Sequence, residues 1–417
     1  MTYVLDIHKD SVLVYRAGED GKEECLRLKA NREVMKEFLE GLPEDSTVVM
    51  ESCYAWEYIY DMAVENGLNA VVADTGALYT SGKPQKKNDL EDCRRLARLY
   101  KIGELPTIFV FDERTRKLRD LLRARRFTTE KITAYRNHTH FVTDRLGLRF
   151  PSAELFGAHP ANPAELSIDH NSQVQLASIQ RILATLEDEE KRLDGEIIRQ
   201  LVPTEQIKLI LTIPGVGMII AAGIYLEIGT ISRFARKENL TAYAGVVPQL
   251  DESGGTTKDR RLRTRCNRNL RWAAVEAARH AIQCDKDLRE YYLRRIHVPE
   301  AQATRPQKSK AVVATARHLL EVIWCMLSRG EAYRGSQGIP TKKMQKIRRM
   351  EKPYPVPAIS EIADGVASTL ERPANLRWSP EGEWEGGWEK NIVDQAIEEV
   401  ECRTQSKTAI TPASIFL

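Results

Sequence analysis

The sequence predicts three successive architectures: an α/β domain over 1–110, a helical, coiled-coil-like arm over 111–204 and a mostly α-helical domain over 205–334. An extension, 335–417, follows. Three observations carry this. The first hundred residues alternate short β-branched runs with helical patterns, the signature of an α/β layer. From Glu113 to about Leu146, and again from about Asp169 to Leu201, apolar residues recur at helical spacing among many charges. Residues 206–334 read as a compact helical domain, whereas beyond Arg334 the composition turns to Pro, Gly, charge and the crowded Trp378, Trp384 and Trp388, which read as a docking or partly ordered tail.

The elements of the first domain follow in order. Tyr3–Ile7 and Ser11–Arg16 read as strands, and Gly18-Glu19-Asp20-Gly21 supplies the turn into a third, Glu23–Leu28. A helix over Asn31–Glu40, a strand over Thr47–Glu51, a helix over Trp56–Gly67 and a strand over Ala70–Ala73 come next, then a third helix. The stretch Pro151–Pro163 interrupts the arm, whose two long helices either pair with each other or dimerise; the pattern does not choose. Leu209–Leu226 is apolar enough to raise a membrane question. Pro214-Gly215-Val216-Gly217 near its start leaves too little unbroken length for a bilayer of about 30 Å, so two buried helices and a turn are expected.

The chain has 417 residues, enough for two or three cores. Lys and Arg number 62 against 59 acidic residues, so the net charge of +3 makes no case for nucleic acid by itself. Its distribution does. Lys258, Arg260, Arg261, Arg263, Arg265, Arg268 and Arg271 are opposed only by Asp259, a concentration of charge suited to phosphates. A second basic run spans Lys342, Lys343, Lys346, Arg348, Arg349 and Lys352. The seven cysteines are scattered with no C-x-x-C pair, which fits a reducing, cytoplasmic compartment. The N-terminus opens into a strand-like run without the regions of a signal peptide.

Four carboxylates stand out. Asp6 lies inside the first strand, where an ionisable group is costly unless something pairs with it. Glu51 ends the fourth strand, and Asp89 and Asp92, three apart at the start of a helix, point to one side about 5–6 Å from each other. Each alone has a plain alternative: a surface helix residue for Asp92, an N-cap for Asp89, a loop carboxylate for Glu51. Together they define an RNase-H-like nuclease arrangement. Such a cluster repels itself unless divalent cations occupy it, and two Mg²⁺ ions about 3.5–4 Å apart would polarise a phosphate and stabilise a leaving oxygen.

The runs LDIHKD (Leu5–Asp10), VVMES (Val48–Ser52) and KKNDLEDC (Lys86–Cys93) resemble the DEDD transposases of the insertion-sequence one-hundred-and-ten family, whose N-terminal domain is similar to the RuvC resolvase. The matching acids are Asp6, Glu51, Asp89 and Asp92; Cys53-Tyr54 after Glu51, and Cys93, depart from the usual pattern. Further along, Ile213-Pro214-Gly215-Val216-Gly217 between apolar runs has the form of a helix-hairpin-helix, whose turn offers backbone N–H groups to a phosphate. It reads equally as a plain tight turn between buried helices. The motifs LTIPGVG, ISRFARKENLTAYAGVVP, ESGG, RCNRNLRWAAVEAA and KAVVATARHLLEVIWCMLSRGEAY then appear in the order of the same family's C-terminal transposase domain. The resemblance covers about 1–150 and 205–334 and leaves the tail unmatched.

That resemblance implies a site-specific DNA recombinase that cuts and rejoins strands through a phosphoserine intermediate. Ser253 is its nucleophile, and Mg²⁺ or Mn²⁺ is held by Asp6, Glu51, Asp89 and Asp92. It also implies double-stranded donor and target DNA, a structured noncoding bridge RNA as guide, a homo-oligomer (dimer or tetramer), and no membrane. Pro214, Gly215 and Gly217 and the basic segment from Lys258 to Arg271 are the expected nucleic-acid contacts. Two rivals stand beside it. One is a RuvC-like junction nuclease in which the acids activate water and Ser253 is a turn residue; the other is a nucleic-acid-binding protein without enzymatic activity.

Overall fold

A sheet with cores on both faces builds the first unit, its central strands buried in continuous runs. β1 (Thr2–Ile7), β2 (Ser11–Ala17) and β3 (Glu23–Lys29) form an antiparallel meander, while β4 (Thr47–Glu51) and β5 (Asn69–Ala73) add in parallel on the other side of β1. The sheet order is β3-β2-β1-β4-β5, with β1 at its centre, an arrangement consistent with an RNase-H-like fold. Tyr3, Leu5, Ile7, Val48 and Met50 face α1 (Arg32–Glu40) and α2 (Trp56–Glu65), packing on Met35, Leu39, Ile59 and Met62. The opposite residues, Val4, Leu13, Tyr15 and Val49, pack with Cys93 and Leu96 of α4 (Asp89–Lys101), which follows the short α3 (Thr75–Leu78). Alternation along a strand therefore puts Asp6 and Glu51 on the α4 side. Leu5, Met35, Leu39 and Met50 are fully buried, each stabilising by about 1.5–3 kcal/mol, which lets the sheet carry a costly carboxylate at its centre.

This computed structural model describes residues 1–18, 22–78, 88–157, 160–248, 251–253, 256–258, 262, 265–336, 338, 343–345 and 347. Trp378, Trp384 and Trp388 lie outside these, as does the second basic run except Lys343. Two compact units emerge, Met1–Glu113 and Arg114–Leu417.

The second unit begins with the arm. α5 (Glu113–Arg145) leads through α6 (Ser152–Phe156) into α7 (His170–Gln200). The open question of their pairing is answered within the chain. Ile132 and Val142 pack on Leu176, Ile179 and Leu183, and the polar contacts Arg125–Asp194, Arg136–Glu187 and Arg145–Gln175 run in antiparallel register. The buried Arg125 donates from Nε to Asp194 Oδ1 at 2.8 Å.

Then come α8 (Glu205–Leu211), α9 (Met218–Ile228), α10 (Lys237–Ala244), a ribbon of β6 (Asp251–Ser253) and β7 (Thr256–Lys258), α11 (Arg268–Cys284), α12 (Lys286–Ile296) and α13 (Arg305–Arg329). As expected, Leu209–Leu226 is broken by a turn. α9 is buried on nearly all sides and lies against α11, whose Ala273, Ala274, Ala277, Ala278 and Ala281 allow a close approach. Among the described residues one helix, α13, is long and apolar enough to cross a membrane by length and composition. It packs on α8, α10, α11 and α12, with Leu319, Leu320 and Ile323 fully buried in that core.

Candidate functional site

In the first unit, β1 and the N-terminal turn of α4 bring two of the four acids together. Asn88 caps α4, its side chain accepting from Leu90 N at 3.2 Å, so Asp89 is not the cap and its carboxylate is available elsewhere. It turns towards β1. His8 Nε2 lies 3.0 Å from Asp6 Oδ2 and 3.3 Å from Asp89 Oδ2, and Arg27 Nη2 of β3 reaches Asp89 Oδ2 at 3.4 Å. One ligand atom from each of Asp6, His8 and Asp89 falls within 4.8 Å of the others, a group able to hold a metal ion.

Asp92 and Glu51 are not among those three. Asp92 follows Asp89 by one helical turn, and Glu51 pairs with Ala73 at the end of β4. Burial, first, pushes the Asp6 carboxyl above its ordinary value; His8 opposes this, and the carboxylates of Asp89 and Asp92 add to it. Cys93, packed beneath, is pushed up to about 12, first by burial and then by Asp6, with smaller contributions from Asp92 and Glu51. Its thiol is a packing group between helix and sheet. After Glu51 the chain turns with Cys53 N donating to Glu51 O and Ser52 N to Ala73 O.

His8 was not singled out from sequence. The signal was present: it lies two residues after Asp6, the spacing that keeps side chains on one face of an extended chain. With a side chain 36% exposed against 16% for Asp6, it also marks the site as open to solvent.

In the second unit the hairpin turn is tightly built. Pro214 is buried, Gly215 has φ +80°, and a Cβ on it would lie 2.7 Å from the backbone carbonyl of His280 and 2.9 Å from Ala281 N. Gly215 is thus the contact point with α11, and Gly217 is the N-cap residue of α9. Lys343 Nζ donates to Ile213 O at 2.5 Å and Val216 O at 2.8 Å, so this member of the second basic run closes the hairpin's carbonyl side.

Ser253 sits on a ribbon rather than in an unstructured loop: Asp251 pairs with Lys258, Glu252 with Thr257 and Ser253 with Thr256, and a bridge joins Pro248 to Leu262. Arg260, Arg261 and Arg263 lie outside the described residues, and Lys258 is described only as backbone. Arg265 and Arg268 are exposed. Arg271 instead turns inward, donating from Nε to Ala244 O at 3.3 Å and from Nη2 to Cys266 Sγ at 2.9 Å.

A polar centre that sequence reasoning missed lies where α9, α5 and the start of α11 meet. Glu227 of α9, in a nearly all-apolar helix, accepts from Arg119 and Arg123 of α5 and from Asn267 at the start of α11. Burial would raise its carboxyl, but Arg119 and Arg123 outweigh this and hold it below the ordinary glutamate value. No local pattern announces it, because the two arginines lie more than a hundred residues away.

Residues 207–293 match the model of the Transposase IS116/IS110/IS902 family. The matched stretch contains the hairpin, Glu227, Ser253 and Asn267. The chain is 31% identical over 133 residues to the transposase for insertion sequence element IS1111A of Coxiella burnetii, an alignment covering 31% of this chain and 35% of that protein. It is 27% identical over 225 residues to the putative transposase y4qE of Sinorhizobium fredii, covering 53% and 54%. With a probable family 20 transposase of Pseudomonas aeruginosa it shares 23% identity over 340 residues, covering 79% of this chain and 97% of that one. The chain thus spans about a third to about half of the length of the first curated relatives it matches.

Proposed function

We propose that this chain, which belongs to the IS116/IS110/IS902 transposase family, moves an insertion sequence by cutting DNA strands and rejoining them through a serine ester. The observation that carries the reading is the convergence of Asp6 and Asp89, from a strand and a helix N-terminus, within 4.8 Å of each other and of His8. Their fit to a metal follows from the donors. Two carboxylate oxygens suit a hard divalent cation, and the raised Asp6 carboxyl lacks enough positive charge around it to ionise easily. His8 and Arg27 supply part of that charge.

In this reading Asp6, Glu51, Asp89 and Asp92 hold Mg²⁺ or Mn²⁺, which when bound stabilises negative charge on a phosphate. Ser253 is the attacking hydroxyl. A bond from its oxygen to phosphorus replaces the bond from the deoxyribose oxygen, and the proton the serine loses is taken up by that leaving oxygen. One phosphoester replaces another, so the strand can be resealed by reversal without ATP. Arg265 and Arg268, with Lys258, Arg260, Arg261 and Arg263, and the hairpin at Gly217, contact nucleic-acid backbones, whereas Arg271, Pro214 and Gly215, expected among the contacts from sequence, are taken up by the helical core. The partners are double-stranded donor and target DNA, a structured noncoding bridge RNA and further copies of this chain, as a dimer or tetramer. The compartment is the cytoplasm, in keeping with free thiols at all six described cysteines.

The test is a covalent trap. Wild-type protein, incubated with duplex DNA from the ends of its own element, the RNA those ends encode and Mg²⁺, should yield a denaturation-resistant protein–DNA adduct. Ser253→Ala should yield none. Metal-dependent cleavage without an adduct, equally strong in Ser253→Ala, would establish the water-using junction nuclease instead.

A further inference from the structure

Between Tyr243 and Asn267, whose backbones are hydrogen-bonded to each other, lie β6, β7 and the Pro248–Leu262 bridge. Of these two residues, Asn267 is held directly by one buried carboxylate and Tyr243 is held through Asn267. Glu227 is 4% exposed. Arg119 donates to its Oε2 from Nη2 at 2.7 Å and from Nε at 3.2 Å; Arg123 donates from Nε to Oε1 at 3.0 Å and from Nη2 to Oε2 at 3.3 Å. Asn267 Nδ2 adds a bond to Oε2 at 2.8 Å. The same Nδ2 donates to Tyr243 Oη at 3.0 Å, and the backbone N of Asn267 donates to Tyr243 O at 2.7 Å.

Asn267 also caps α11, its Oδ1 accepting from Asn269 N at 3.1 Å and Leu270 N at 3.0 Å. Capping needs only that oxygen, and serine supplies one as well as asparagine does. The amide nitrogen, with two acceptors on different helices, therefore plays a separate part, joining Tyr243 before the ribbon, Asn267 after it and the carboxylate of α9. Arg119 and Arg123 extend the connection to the arm. A lone arginine would suffice to neutralise Glu227. Two, one turn apart on α5, fix the helix in rotation as well as in charge.

We infer that Glu227 is a positioning residue for the Ser253 ribbon: through Asn267 and Tyr243 it sets the base from which β6 and β7 project, and through Arg119 and Arg123 it couples that base to α5. The catalytic consequence rests on Ser253 being the attacking hydroxyl. The mechanical consequence does not.

The decisive variant is Asn267→Ser, which keeps the cap oxygen and removes the bridge; Glu227→Gln is its companion. On the full-length protein without DNA, peptides covering Tyr243–Val246 and Arg265–Asn269 should exchange amide hydrogens about tenfold faster in Asn267→Ser, while the interiors of α9, α11 and α13 stay at wild-type rates. In the adduct assay, the rate at saturating DNA should fall about a hundredfold with DNA affinity unchanged, the result of misplacing a reacting atom rather than losing a binding surface. Asn267→Thr, which also caps, should behave like Asn267→Ser, whereas Asn267→Gln should recover part of the rate by restoring an amide donor. Wild-type exchange at both base peptides in Asn267→Ser, or faster exchange spread evenly over the helical core, overturns the inference. If the wild type forms no adduct at all, the serine reading fails, and the exchange measurement still decides whether Glu227 anchors the ribbon's base. Should Glu227→Gln fail to fold, Asn267→Ser carries the test alone.

Discussion

Asp6 and Glu227 are both carboxylates placed where burial opposes their charge, yet the molecule treats them in opposite ways. Around Glu227 two arginines and an amide fill the carboxylate's acceptor positions, and its carboxyl is held below the ordinary value. Around Asp6 stand other carboxylates, Asp89 and Asp92, with His8 and Arg27 as the nearby positive or proton-bearing groups, and its carboxyl is raised. The first arrangement is complete as the chain folds. The second is electrostatically short of positive charge, as the proposed cation site requires and a structural ion pair does not.

The largest effect that sharpens this contrast is on activity. Asp6→Asn should lower metal-dependent strand cleavage by about a thousandfold, the scale on which a preorganised charged group counts in catalysis, while its thermal unfolding stays at or above that of wild type. Glu227→Gln should do the reverse in stability. Leaving the largely buried Arg119 beside a neutral group should cost about 3 kcal/mol in urea unfolding, with the part-exposed Arg123, screened by solvent, adding little. Equal destabilisation by the two substitutions would erase the distinction. A third measurement adds metal: at roughly a hundred times its dissociation constant, Mn²⁺ should stabilise the wild type by about 2.7 kcal/mol against unfolding, with the gain lost in Asp6→Asn and kept in Glu227→Gln.

The two sites also differ in how far the sequence exposes them. Asp6 and Asp89 can be read from the chain because strand alternation and helical spacing are local rules, and the structure brings these two together with His8; β4, which ends in Glu51, lies beside β1 and parallel to it. His8 obeys the same alternation but belongs to no familiar tetrad. Glu227 was hidden for a physical reason. A single acid at the end of an apolar helix signals a missing partner, but not which of the chain's arginines will come, and the partners sit on the arm. The pairing of α5 with α7 depends likewise on contacts such as Arg125 with Asp194, which fix antiparallel register only once the turn between them is built. The Ser253 ribbon reads as a polar loop because strands of three residues carry too little periodicity to register.

The smallest expected effect is the dependence of stability on pH, where the two carboxylates should slope in opposite directions. Glu227 has a folded value below the ordinary 4.5, so the stability it contributes is fully present above that value and is lost as pH falls through the folded one. The gap between wild type and Glu227→Gln should therefore narrow on acidification. Asp6 has a folded value above the ordinary 3.8. Its contribution is greatest below 3.8, where the carboxyl is protonated in both states, and is lost as pH rises through the folded value. Wild type should accordingly lose ground to Asp6→Asn as pH rises across that window in metal-free buffer. Chemical denaturation from about pH 3 to pH 7, read on the transition each variant displaces, gives both difference curves. Added Mn²⁺ should flatten the Asp6 curve, because a cation bound to the ionised carboxylate supplies the charge it lacks, and should leave the Glu227 curve unchanged. Parallel curves, or an Asp6 curve indifferent to metal, would mean that His8 and Arg27 already satisfy the cluster and that it is a surface ion network instead of a cation site.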